Sequence, residues 1–73
     1  MSEEMKESIF ENADLLKVEA QEYFELAEAY KAHGKKTEAE SILGLAETAK
    51  EQFETLLYFM QGLGLDKEYM GVA

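Results

Sequence analysis

The chain contains no cysteine, no proline and no arginine among its 73 residues. Without cysteine, disulfide bonds and thiolate metal sites are excluded, and without proline nothing prevents the chain from being helical almost throughout. A core in a chain of this size supplies only ~3–5 kcal/mol. Because disulfides are unavailable, the sequence favours oligomerisation or a bound metal as the additional source of stability.

The charge is strongly one-sided. Sixteen acidic residues stand against seven lysines, which gives a net charge of −9. This balance repels nucleic acids and anionic membrane surfaces, and arginine, the residue best suited to phosphate and base recognition, is absent. No apolar run approaches the ~18 residues of a membrane span, and the acidic N-terminus does not resemble a signal peptide. We therefore expect a cytoplasmic protein with no nucleic-acid or membrane partner.

A heptad pattern predicts a first helix over residues 3–32. Apolar residues recur at alternating intervals of four and three residues, with alanine at every second position. This first seam consists of Ile9, Ala13, Leu16, Ala20, Tyr23, Ala27 and Tyr30. Two start sites remain open: Ser2, which is followed by Glu3 and Glu4, or Ser8, which forms a capping box with Glu11.

A second heptad pattern predicts a helix over residues 38–61. Gly34 is expected to end the first helix, and Thr37 with Glu40 forms a capping box that would begin the second. The second seam consists of Ala39, Ile42, Ala46, Ala49, Phe53, Leu56 and Met60. Because the connection is so short, the two helices must be antiparallel neighbours. The fold class is therefore all-α, an antiparallel helical hairpin in one domain, with residues 66–73 as a tail that forms one helical turn or stays mobile.

The apolar surface is wider than one partner helix can cover. Six large residues flank the seams: Phe10, Phe24, Leu26, Leu43, Leu57 and Phe59. Exposing all six would create a large apolar patch, so the sequence predicts that two hairpins pair into a four-helix bundle, as a homodimer or a higher homo-oligomer. A different protein covering the same face remains an alternative. The seam residues, with Phe24 and Leu57, are the predicted core and interface.

No pattern of residues predicts catalysis. His33 is the only histidine and lies in the predicted turn, where a capping or solvated role is typical. The chain therefore lacks the usual parts of a nucleophilic site, and we expect no enzymatic activity and no cofactor. Glu19, Glu47, Glu51 and Glu54 are weak candidates for a carboxylate metal site. None lies on a seam, so a solvated charged face is the expected alternative.

The segment from Tyr23 to Gly62 resembles half of a rubrerythrin-type, ferritin-like domain. The resemblance is carried by Tyr23, Ala27, Gly34, Ala39, Ala46, Glu47, Lys50, Glu51, Leu57 and Gly62. It implies a hairpin that pairs into a four-helix bundle. The family's metal-ligand positions fall on Leu16, Ala49 and Gln52 here, so the resemblance implies no di-iron centre. A divergent carboxylate metal-binding protein is the alternative function.

A weaker resemblance is to a single tetratricopeptide repeat. It is carried by Tyr23, Leu26, Ala27, Tyr30, Gly34, Ala39, Leu43 and Ala46. The proline typical of that repeat would fall on Glu51, and the chain contains no second copy. This resemblance implies an adaptor that binds a protein or peptide. The leading interpretation is a non-enzymatic, self-associating interaction module.

Overall fold

The computed structural model describes residues 1–71 and consists of helices, with no strand in that range. Helix α1 spans Glu3–Ala32, α2 spans Lys36–Gly62 and α3 spans Asp66–Tyr69. Phe24 and Leu43 line one groove near the turn, while Asp14 and Leu57 line another near the other end, so α1 and α2 are antiparallel. The predicted all-α hairpin is confirmed. It is elongated, with principal extents of 48 × 19 × 17 Å.

Helix α1 begins after Ser2, which settles the choice between the two predicted start sites. Ser2 has extended backbone angles, and its side-chain oxygen accepts a hydrogen bond from the Met5 backbone N–H at 3.2 Å. Glu3 and Glu4 lie in the first turn, where their charges favour the positive end of the helix dipole. Ser8 lies within the helix.

The turn between α1 and α2 is closed by the backbone. Gly34 has φ of 75°, its N–H donates to the Lys31 carbonyl, and the Lys35 N–H donates to the Tyr30 carbonyl at 2.9 Å. These two bonds form a Schellman motif, which satisfies the last carbonyls of α1. The chain enters α2 directly from this motif.

The predicted N-cap at Thr37 is therefore wrong. Lys35 is the N-cap and makes no side-chain capping hydrogen bond, and α2 begins at Lys36, two residues before the predicted start. Thr37 lies inside the first turn, because the Schellman motif already redirects the chain within residues 33–35.

Small side chains dominate the contact between α1 and α2. Among residues 1–71 the buried ones are six alanines and one methionine: Ala13, Ala20, Ala27, Ala39, Ala46, Ala49 and Met60. The larger seam residues, such as Leu16 and Phe53, are only half-buried. A buried methyl group contributes ~0.8 kcal/mol, against ~1.5–3 kcal/mol for a leucine or phenylalanine side chain. The hairpin core is thus close-packed but supplies a small hydrophobic driving force.

A second Schellman motif at Gly64, with φ of 74°, ends α2 and leads into α3. Residues 66–69 form one helical turn, which is one of the two alternatives predicted for the tail. The other tail residues include Met70 and Gly71, which form a turn, and Val72 and Ala73, which lie outside the described residues. Within the described part of the chain, no helix has the length and apolarity needed to cross a membrane.

Candidate interaction surface

The predicted seams meet between α1 and α2. Every one of the fourteen seam positions is buried or half-buried, and Phe24 and Leu57 are half-buried beside them. Near the turn, alanines of both helices lie at the same level, since Ala27 and Ala39 line one groove. The hairpin interface therefore uses one stripe of each helix and leaves the residues beside it to other contacts.

The six flanking residues divide into two groups. Phe10, Phe24 and Leu57 are half-buried. The others remain more open, with exposed fractions of 44 % for Leu26, 39 % for Leu43 and 53 % for Phe59. The chain's own tail thus covers part of the surplus apolar surface but not all of it.

One broad face of the hairpin carries most of the lysines, and we call it the lysine face. It consists of Phe10, Lys17, Phe24 and Lys31 of α1 with Lys36, Leu43, Lys50 and Leu57 of α2, which occupy equivalent heptad positions. In an antiparallel pair of helices such positions lie on the same side of the seam. Lysine and large apolar residues alternate along each helix.

Helix α3 covers one end of the lysine face. The Tyr69 ring lies 5.2 Å from the Phe10 ring centroid and 6.4 Å from that of Phe53, both in tilted geometry. The Tyr69 hydroxyl donates to an Asp14 carboxylate oxygen at 2.7 Å. Burial, followed by the hydrogen bond and the negative charge of Asp14, raises the pKa of Tyr69 to about 12. The tyrosine therefore stays neutral and donating throughout the physiological range.

An ion pair joins α3 to the first turns of α1. The Lys6 ammonium nitrogen lies 2.9 Å from a Glu68 carboxylate oxygen and 3.2 Å from one of Glu3. The hydrogen bond to Glu68, and then that to Glu3, raises the pKa of Lys6 above its ordinary value. Ion pairs that are open to solvent contribute little to stability, so the aromatic contacts of Tyr69 dominate the docking of α3.

The opposite face of the hairpin has no covering element in the described residues. A groove there is lined by Leu15, Leu16, Gln52 and Phe59 together with Asn12, Thr48, Glu51, Thr55 and Leu56. Leu15 is 66 % exposed and Leu45, farther along α2, is 52 % exposed. We call this the open face. It joins large apolar side chains to small hydroxyl and amide side chains.

The candidate metal ligands are not assembled into a site. Glu19, Glu47, Glu51 and Glu54 are all exposed, and residues 1–71 contain no group of three His, Asp or Glu side chains placed to hold a metal ion. His33 is exposed and provides the C-cap of α1 through its backbone. The surface feature that stands out is the open face, not a cluster of titratable groups.

Sequence reasoning did not connect Tyr69 with Asp14 or Lys6 with Glu68. The residues of these pairs are 55 and 62 positions apart, and no local pattern relates them. Leu15 was also missed, because it lies off the seam. The recurrence of Ser41, Leu45, Thr48, Gln52, Thr55 and Phe59 at intervals of four and three residues was the available signal for the open face.

Comparison with known proteins found no matching family model, no matching curated protein and no matching solved structure.

Proposed function

We propose that this hairpin is a non-enzymatic protein–protein interaction module that self-associates, with two hairpins pairing into a four-helix bundle. The observation that carries the proposal is the excess of exposed apolar surface. A two-helix hairpin buries one stripe of each helix and has no second layer to cover the rest. The resemblance to a ferritin-like half-domain implies the same pairing.

The amount of exposed surface supports a second subunit. A compact monomer of 8.3 kDa is expected to expose roughly 4,600 Å². The hairpin exposes 5529 Å², which exceeds that expectation by ~900 Å². A standard stable interface buries ~800 Å² on each partner. The excess is therefore close to the area that one dimer interface would remove.

The composition of the core points the same way. Six of the seven buried residues in the range 1–71 are alanine, and most of the larger seam residues are buried only in part. Leu15, Leu45 and Phe59 are more than half exposed. Burying side chains of this size stabilises an assembly by ~1.5–3 kcal/mol each. Association would supply the stability that the alanine-rich contact between α1 and α2 does not.

Charge opposes this association. Each copy carries −9, and two copies repel each other over the Debye length of ~8–10 Å at physiological salt. Because the apolar term is short-range and local, it favours contact only where carboxylates are sparse. Added salt screens the repulsion and is expected to tighten the assembly.

Sedimentation equilibrium at micromolar concentration tests the proposal. We expect a particle of twice the chain mass of 8.3 kDa, with a dissociation constant that falls as salt is raised. A helical, cooperatively melting particle that stays at the mass of one chain at all concentrations and salt levels would contradict it. A cytoplasmic location, expected from the lack of cysteine, belongs to the same proposal.

A further inference from the structure

A second heptad stripe follows the outer side of α2. Its six positions, separated by four, three, four, three and four residues, are Ser41, Leu45, Thr48, Gln52, Thr55 and Phe59. Residues with this spacing lie on one side of a helix, and all six are exposed. We call them the outer stripe. It lies beside the α1–α2 seam and forms the α2 part of the open face.

The outer stripe carries no charge. Charged residues make up 32 % of the chain, so six positions taken at that rate would contain about two. On the opposite side of α2, the corresponding positions of the lysine face include Lys36 and Lys50. A copy of this chain, itself at −9, can therefore contact the six stripe positions without placing a carboxylate at any of them. Glu51, which lines the same groove, lies at the edge of the stripe.

The pattern of side-chain sizes is self-complementary. In two antiparallel copies of α2 related by a two-fold axis at the level of residue 50, positions whose numbers add up to 100 face each other. Phe59 then faces Ser41 of the second copy, and Leu45 faces Thr55. Each large side chain meets a small one, which is the alternation that close packing of two helices requires.

Burial of the outer stripe leaves Thr48 satisfied. Its hydroxyl already donates to the Gly44 carbonyl of its own helix at 2.9 Å, so the hydroxyl proton needs no partner from a second chain. Gly44 has no heavy atom within 4 Å of the place a Cβ would occupy. The backbone of α2 is therefore open to close approach beside the stripe.

The stripe is also long enough. From residue 41 to residue 59 an α-helix rises ~27 Å, and Leu15 of α1 extends the apolar surface sideways, because it lines the same groove as Phe59. The stripe therefore extends along most of α2, which spans Lys36–Gly62.

We infer that a second copy of this chain docks on the outer stripe, with the two α2 helices antiparallel about a two-fold axis near residue 50. This inference rests on the proposed self-association and names the surface that performs it. The lysine face, which α3 partly covers, stays on the outside of the dimer. Glu51, next to the stripe and near the axis, lies close to Glu51 of the second copy.

Two matched leucine substitutions test the surface. Leu45 and Leu43 are the same residue type on the same helix, 52 % and 39 % exposed, but they lie on opposite faces. We expect Leu45→Glu to raise the dissociation constant by ~100-fold or more, because it would bury one unpaired carboxylate against Thr55 of the other copy in each half of the interface. Leu43→Glu should leave the dissociation constant within a few-fold of the wild-type value, with circular dichroism checking that both variants stay helical.

The outcomes separate this inference from the proposed function. If the wild-type chain is monomeric, both the proposed self-association and the outer stripe as its surface are contradicted. A dimeric wild type whose Leu45→Glu variant is equally dimeric, or whose Leu43→Glu variant dissociates instead, leaves self-association intact and overturns the outer stripe as its surface. A dimer disrupted by Leu45→Glu alone supports the inference.

Cysteine cross-linking tests the two-fold axis without disturbing the stripe, because the chain has no cysteine of its own. Glu51→Cys should form a disulfide-linked dimer readily under mild oxidation, since residue 51 lies almost on the axis. Glu54→Cys, exposed on the side of α2 away from the stripe, is the control and should remain largely uncross-linked. Equal cross-linking of both variants, or preferential cross-linking of Glu54→Cys, would overturn the proposed axis.

Discussion

The two ends of the lysine face are built from equivalent residues, but only one end is covered. At the α3 end, Asp14, Lys17, Phe53 and Leu57 line a groove together with Tyr69. Fourteen residues along each helix towards the turn, the same heptad positions carry Glu28, Lys31, Ala39 and Leu43, which line a second groove with Phe24. The lysine face therefore contains two equivalent grooves, and α3 covers only one of them.

The filled end shows what the apolar flanks require. Tyr69 places its ring against Phe10 and Phe53 and its hydroxyl on Asp14. At the turn end Phe24 takes the place of Phe10, and Ala39 takes the place of Phe53. Among the described residues, no aromatic side chain from a third element covers the groove there. A third element therefore adds aromatic contacts to the flanking residues at one end of the hairpin only.

A matched pair of substitutions gives the largest effect that this comparison predicts. Phe10→Ala should lower the free energy of unfolding by ~2–3 kcal/mol, because it removes a half-buried ring and its aromatic contact with Tyr69. Phe24→Ala, at the equivalent position of the uncovered groove, should cost only ~1 kcal/mol. Chemical denaturation at one fixed protein concentration measures both. Equal losses would mean that α3 adds nothing to the stability of its end.

Glycine substitutions compare the turn end with the open face, with a smaller effect. Gly34→Ala should destabilise the hairpin by ~1–2 kcal/mol, because φ of 75° places a Cβ in the strained left-handed region. Gly44→Ala should stabilise it by up to ~1 kcal/mol, since Gly44 lies within α2 with open space around its Cβ direction. Thermal melts should therefore shift in opposite directions, and a loss of stability on Gly44→Ala would show that this part of the open face is already in close contact with another chain.

The sequence predicts the features of the fold that depend on local patterns of residues. The bounds of α1 and the two seams depend on local periodicity, and α1 begins and ends where the pattern does. The N-cap of α2 was predicted wrongly, because the capping box at Thr37 competed with a backbone motif at Gly34 that redirects the chain sooner. The sequence shows both the capping box and Gly34, but it does not show which of them determines where α2 begins.

The covering of one groove and not the other could not be predicted. Phe10 and Phe24 look alike in the sequence, and the choice between them depends on where Gly64 directs α3. The resulting contact joins Tyr69 to Asp14 across 55 positions. For the outer stripe, the sequence shows the heptad spacing. Its exposure follows only from the structure, in which α1 packs against the other side of α2.

Alkaline titration gives the most local test, because the hydroxyl of Tyr69 joins α3 to Asp14 of α1. Burial and Asp14 raise the pKa of Tyr69 to about 12 from its ordinary value of 10.0. A folded-state pKa above the unfolded one means that the stabilisation is complete below pH ~10 and is lost as the pH rises towards ~12. In that window the phenolate repels Asp14, so α3 should detach from Phe10 while α1 and α2 stay paired.

Ultraviolet difference absorbance of tyrosinate, together with the exchange rates of the α3 amides extrapolated to each pH, would follow the detachment of α3. Tyr69→Phe removes the titrating group and should abolish the pH dependence of α3 docking in this window, and an unchanged profile would show that another group controls it.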